Sequence, residues 1–394
     1  MVSLSASLHV SLHVSLSASS FCLVVLLSGC RGPLSEALPY GADNETCASC
    51  HVTQGESFAR SAHGQSAESP VFQALLPHVE HAWGAQASSR CVGCHAPSHL
   101  PVEARAEAHP GIACVSCHGA IGNRGTRDGR LVIDLNAPLD GPFGDGQSPA
   151  HRSQSRGFVS DAQLCLTCHE LTGPELFVES SAAEYARAVE RVNAPRCVEC
   201  HMPALENGPI ALGSETLRPR RSHAFVGPTP PAQTDAESLT AYASSLRALF
   251  GEDRVLLEVT RDGDALLVRL TNARLGHDLP TGSAFLRSLR VDVSFDNGAE
   301  VRGVIELGDV PMRDGAPRAL PTDADRIEHV RIAPGEAREG RIPIPEGAHL
   351  AHATLSLRAY RETVLDALGD ALSEQERQRL SVEVTVLETA LALP

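Results

Sequence analysis

Cys114-Val115-Ser116-Cys117-His118 decides how this chain folds, because it is one of five copies of a single pattern. The same Cys-x-x-Cys-His string occupies Cys47 to His51, Cys91 to His95, Cys165 to His169 and Cys197 to His201. It is the covalent attachment signal for c-type haem. The two thiols (Cys47 and Cys50, Cys91 and Cys94, Cys114 and Cys117, Cys165 and Cys168, Cys197 and Cys200) add to the porphyrin vinyl groups. The adjacent histidine (His51, His95, His118, His169, His201) is then set under the iron as proximal ligand. Chance supplies roughly 0.02 such strings in a chain of this composition, so five copies read as five covalently bound haems. Paired-cysteine zinc sites do not require a histidine directly after every pair.

Composition agrees. Aromatic residues make up only 4% of the 394 residues, with one tryptophan, and five porphyrins would supply the missing flat apolar bulk. The formal charge is −15, which argues against nucleic acid or anionic lipid headgroups as partners. All 33 basic residues are arginine, so lysine is excluded as an axial ligand. Ten of the twelve cysteines sit in the five motifs, leaving Cys22 and Cys30.

Residues 1–29 read as an export signal. Its apolar stretch Phe21–Leu27 is too short to span a bilayer. It departs from the usual form in lacking any basic residue at its start. Leu27-Ser28-Gly29-Cys30 resembles a bacterial lipobox, which makes Cys30 the expected lipidation site. The expected location is therefore the periplasmic side or outer surface of a bacterial membrane, held by acyl chains.

The organisation expected is an α+β chain in two domains. Residues 30–44 form a tether, and residues 45–232 a haem-packed region of loops and short helices, with helices at Gln163–Cys168 and Ala182–Val192. Residues 233–253 hold a linker helix capped by Thr234 or Asp235. Residues 254–394 alternate like strands, with hairpin turns at Asp262-Gly263 and Asp296-Asn297-Gly298. Strands are expected at Ala265–Asn272, Glu300–Leu307 and Glu328–Ile332 among others, and a helix at Glu362–Leu380. The result would be an antiparallel β-sandwich of immunoglobulin-like size.

The far side of each iron decides its chemistry. A second histidine saturates the metal for electron transfer, whereas an open position admits substrate. Methionine is scarce: Met202 adjoins His201, and only Met312 is free. Eleven histidines lie outside the motifs and the export segment. His151 follows the loop after the third motif, where the chain can return over a haem. His99 and His109 are weaker candidates, and His99 stands too close to His95 to share its iron.

Several strings carry a family resemblance. Ser57-Phe58-Ala59-Arg60-Ser61-Ala62-His63 resembles a Trp-x-x-Ser-x-His segment, with Phe58 in place of Trp. Gly111-Ile112-Ala113 leads into the third motif, and Met202-Pro203 follows the fifth. His223-Ala224-Phe225-Val226-Gly227 is similar to a His-x-Phe-x-Gly string. Together they make the region from Cys47 to Phe225 resemble the multihaem cytochromes related to the tetrahaem electron acceptor of hydroxylamine oxidoreductase. The resemblance implies distal ligation by His63 and His223. Gly276-His277-Asp278-Leu279-Pro280-Thr281-Gly282 resembles a loop of β domains attached to such cytochromes; His277 either reaches back to a haem or is a hydrogen-bonded loop residue.

The function expected is electron relay through closely packed, mostly bis-histidine haems between redox partner proteins, with no catalytic residues. The β domain could dock on a membrane-associated redox complex. The alternative is an oxidoreductase acting on a small nitrogen or sulfur species at one open haem. The absence of lysine disfavours the pentahaem ammonia-forming nitrite reductases, and Tyr40, Tyr185, Tyr242 and Tyr360 lack the context of a haem-crosslinked tyrosine.

Overall fold

The computed structural model describes residues 44–97, 111–125, 131–144, 148, 150–173, 176–251 and 253–394. The lipobox at Cys30, the tether, His99 and His109 lie outside the described residues. Among the described residues no helix is long and apolar enough to cross a membrane.

The haem-motif region is built of short helices: α1 (Asn44–Ala48), α2 (Val52–Ala59), α3 (Pro70–Trp83), α4 (Ala85–His95), α5 (Cys114–His118), α6 (Ala162–Leu166), α7 (Ser181–Val192) and α8 (Cys197–His201). Every motif lies on or against one of them, because a helical turn brings residues three apart onto one face and so points both thiols the same way. Local chemistry sets the ends. Pro70 opens α3 at its first turn, Asp161 accepts from the Gln163 amide to cap α6, and Asn193 closes α7 in a left-handed conformation. Two- to five-residue strand pairs link these helices, such as Leu171–Thr172 with Val178–Glu179.

Helix α9 (Ala236–Phe250) is capped by Asp235, whose side chain accepts from the Ser238 amide. It is not a free linker. Leu246 and Phe250 are buried in the same apolar core as the strands beyond. Those strands are β1 (Val255–Asp262), β2 (Ala265–Asn272), β3 (Ser288–Phe295), β4 (Glu300–Leu307), β5 (Val310–Arg313), β6 (Arg326–Glu328), β7 (Ala337–Pro343), β8 (Leu350–Arg358) and β9 (Glu383–Ala392). One sheet has the order β7-β2-β1 and a second β4-β3-β8-β9, with antiparallel neighbours in both. Alternate residues of each sheet feed one shared core: Leu266, Val268 and Leu270 of β2, Val291 and Val293 of β3, and Leu355 of β8. Period-2 burial of this kind is what the alternating sequence dictates.

Two expectations need correcting. The helix expected over Glu362–Leu380 is two helices, α10 (Glu362–Leu368) and α11 (Glu374–Leu380). Gly369 takes a positive φ of 50° between them, and Ser373 starts α11 with its own capping box. The strand expected at Glu328–Ile332 forms earlier, as β6, while Ile332 makes an isolated bridge to Leu279. The two regions also lack fully separate cores. Val71 and Ala74 of α3 are buried with Phe285, Leu320, Tyr360 and Leu365.

Candidate haem-binding sites

Each of the five motif histidines has its Nδ1 tied down. His51 bonds the Ile210 carbonyl at 2.7 Å, His95 that of Ser66 at 3.0 Å, His118 that of Asp140 at 2.7 Å and His201 that of Val226 at 2.6 Å. His169 instead bonds the Glu179 carboxylate at 2.8 Å. An imidazole that donates from Nδ1 is left with Nε2 as its metal-binding lone pair, and its ring orientation is fixed. The same pattern supports the opposite faces. His151, His223 and His277 place Nδ1 on the carbonyls of Arg152, Arg221 and Asp278, at 3.2, 3.1 and 2.9 Å.

The rings then pair. His151 faces His51, His223 faces His118 and His277 faces His201, each with ring centroids 6.2 Å apart; His63 faces His169 at 6.1 Å. That spacing suits one metal ion between two imidazoles. Two metal–nitrogen bonds of about 2.0 Å, with about 1.1 Å from each nitrogen to its ring centroid, give roughly 6.2 Å. Three pairs are close to parallel, with interplanar angles of 35°, 21° and 32°, whereas His63 and His169 cross at 84°. His63 Nδ1 is buried without a hydrogen-bond partner, an orphaned donor set facing a motif. Burial, then the nearby His169, His201 and His95, pushes His63 down to about 3. Burial also pulls His201 and His223 down to about 4, which keeps these rings in the neutral form that binds metal.

His95 is different. Its ring stacks on Phe72 at 3.9 Å and 12°. Among the described residues no further histidine ring faces it. The adjoining cavity is lined by Leu75, Val79, Arg90, Phe177 and Glu179.

The thiols report how the motifs meet. The Cys114 thiol neighbours that of Cys47, Cys165 neighbours Cys197 and Cys168 neighbours Cys94. These contacts tie motif three to one, and motif four to both five and two. Burial raises the Cys117 thiol to about 11.

Backbone fit explains two of the sequence strings. Ser66 Oγ donates to the His95 carbonyl at 2.7 Å and accepts from the Ile112 amide at 3.1 Å, joining the second motif, the third motif and the turn of His63. A Cβ on Gly111 would lie 2.5 Å from that Oγ, so the glycine ahead of the third motif is a requirement of close approach. Phe225 packs edge-on to His63 at 4.4 Å and to Phe58, which links the two strings that carry His63 and His223.

The loop of His277 belongs to the strand-rich half yet faces a motif of the helical half. Asn272, fully buried at the end of β2, donates to the His277 and Ile332 carbonyls at 2.9 Å. Glu184 of α7, with 0% side-chain exposure, accepts from the Asp278 amide, Thr281, Ser180 and Arg331. Arg331 also pairs with Asp309, which His329 bonds at 3.0 Å. Sequence reading singled out none of Asn272, Glu184, Asp309, Glu179 or Phe72; a single carboxylate or amide carries no motif.

The chain is similar to known haem proteins. The sequence model of the family described as cytochrome c554 and c-prime matches residues 46–119. Among solved structures it is similar to a penta-heme cytochrome c552 from Thermochromatium tepidum, at 18% identity over 90% of this chain and 99% of that one, with a TM-score of 0.63. A superoxide reductase in the oxidised state also aligns, over 36% of this chain and 86% of that one at 8% identity, but its TM-score of 0.17 carries no argument. No curated protein matches. The family match and the shared fold support a multihaem c-type cytochrome, a class whose work is electron transfer.

Proposed function

We propose that this is an exported pentahaem cytochrome, lipid-anchored at Cys30, that relays electrons between redox partner proteins of a respiratory chain. The observation that carries it is the set of four facing histidine pairs at 6.1–6.2 Å. Bound haem supplies a one-electron Fe(III)/Fe(II) couple at each site. The protein's own residues do the rest. The motif cysteines would fix the porphyrins, the facing histidines would hold four irons, and backbone carbonyls orient the rings. The thiol contacts group the first haem with the third, and the fourth with both the second and the fifth. We read the paired sheets as a sandwich of immunoglobulin size whose His277 loop completes the fifth site, and whose outer face is available for docking on a membrane redox complex.

A second reading concerns a single site. Among the described residues no second histidine ring faces His95, and the cavity beside it is lined by Arg90 together with Cys91, Cys94 and Cys168. If the haem held there takes no sixth ligand, it would bind a small nitrogen or sulfur species. Carbon monoxide added to the reduced protein tests both readings. Binding at one haem of five supports relay plus an open second site. Binding at none removes the open site, and binding at most haems removes the relay.

A further inference from the structure

We infer that Glu179 sets the potential of the haem carried by Cys165 and Cys168, by giving that site an anionic partner for its proximal histidine that the other four sites lack. The inference rests on the haem reading above. Four proximal histidines donate Nδ1–H to neutral backbone carbonyls. His169 alone donates to a carboxylate, Glu179 Oε1, at 2.8 Å. A hydrogen bond to an anion draws the Nδ1 proton away from the ring and raises the basicity of the other nitrogen. A more electron-rich ligand favours ferric over ferrous iron, so the potential falls.

The carboxylate is held rather than incidental. Glu179 sits on the strand Val178–Glu179, which pairs with Leu171–Thr172 directly after the motif. Its side chain is only 17% exposed. It is backed by the His277 loop, where Gly282 comes close enough for a Cβ there to lie 3.5 Å from Glu179 Oε1. Arg287 and His95 also act on it, and Arg287 partly offsets its charge. The position matters, since the fourth motif touches motifs two and five through its thiols. A lowered potential there places an uphill step at the junction of the array.

The site also carries its own label. Histidine planes crossed at 84° give a ferric haem a single signal at very high g in electron paramagnetic resonance, whereas near-parallel planes give resolved rhombic spectra. The test is a redox titration of full-length haem-loaded protein followed at that signal, with haem content measured by intact mass. Glu179→Gln and Glu179→Ser should each keep five haems and raise that one midpoint by at least tenfold in the oxidised-to-reduced ratio, about 59 mV. Glu179→Asp should keep the original midpoint, and Arg287→Gln should lower it. An unchanged midpoint in a neutral variant that retains five haems overturns the inference, as does an equal shift in the Asp and Gln variants. If neither neutral variant keeps its haem, the wild-type midpoints decide: the crossed-plane haem must titrate below the three near-parallel ones, and an equal or higher midpoint overturns the inference. Wild-type protein without haem would instead strike the haem reading itself.

Discussion

Gly111 is fixed by distance, not by backbone angle. A methyl there meets Ser66 Oγ at 2.5 Å, the Ser66 amide nitrogen at 2.7 Å and the His63 carbonyl at 3.0 Å. Gly111→Ala should therefore cost about 1–3 kcal/mol, as overpacking does. Denaturant titration should show the loss, and the crossed-plane haem signal should shift because the turn of His63 must move. His277→Ala is cleaner. It should leave five haems attached while converting the fifth to a high-spin, carbon monoxide-binding haem; an unchanged spectrum would mean His277 is only a loop residue. At this scale the four histidines that face a motif histidine, His63, His151, His223 and His277, were legible as candidates because each stands in a recognisable string or after a returning loop. Phe72 and Glu179 were not, because their roles arise from which motif the chain happens to fold against them.

At the scale of elements, the junction between α7 and the His277 loop depends on one buried charge cluster. Glu184, Arg331 and Asp309 have side-chain exposures of 0%, 9% and 6%. Removing one partner leaves an uncompensated buried charge, at a cost of about 3–5 kcal/mol. Glu184→Ala should show that loss in a chemical denaturation curve, and it should free the Asp278 amide and Thr281 that shape the loop. Partial carbon monoxide binding at the fifth haem is the expected second readout. Strands were easier to read than helices. Alternation in Ala265–Asn272 and Glu300–Leu307 matches the observed strands end to end, because one buried face imposes period two. Helices α3 and α4 escaped, since their apolar residues serve two masters: Val71 and Ala74 face the strand-rich half, while Cys91 and Cys94 line the cavity beside His95.

The whole molecule divides its apolar interior unevenly. Two large buried clusters lie in or against the strand-rich half, whereas the cluster confined to the motif region holds Ala113 and Val115, with Leu135 packed on them. Porphyrin must replace the missing core. Protein made with the motif cysteines changed to alanine should therefore keep slow amide exchange in 236–394 and lose it across 44–235; protection throughout would show that the polypeptide folds the first half without haem. The broad division into a motif half and a strand half was legible from composition and periodicity. The sharing of a core by α3 was not, because contacts between distant segments leave no local trace.

The most direct test of the account is quantitative electron paramagnetic resonance of the oxidised full-length protein, scaled to its haem content. Four facing histidine pairs predict at least four low-spin ferric haems, three with near-parallel ligand planes and one with crossed planes. Fewer than four low-spin haems, or several crossed signals in place of one, would contradict it.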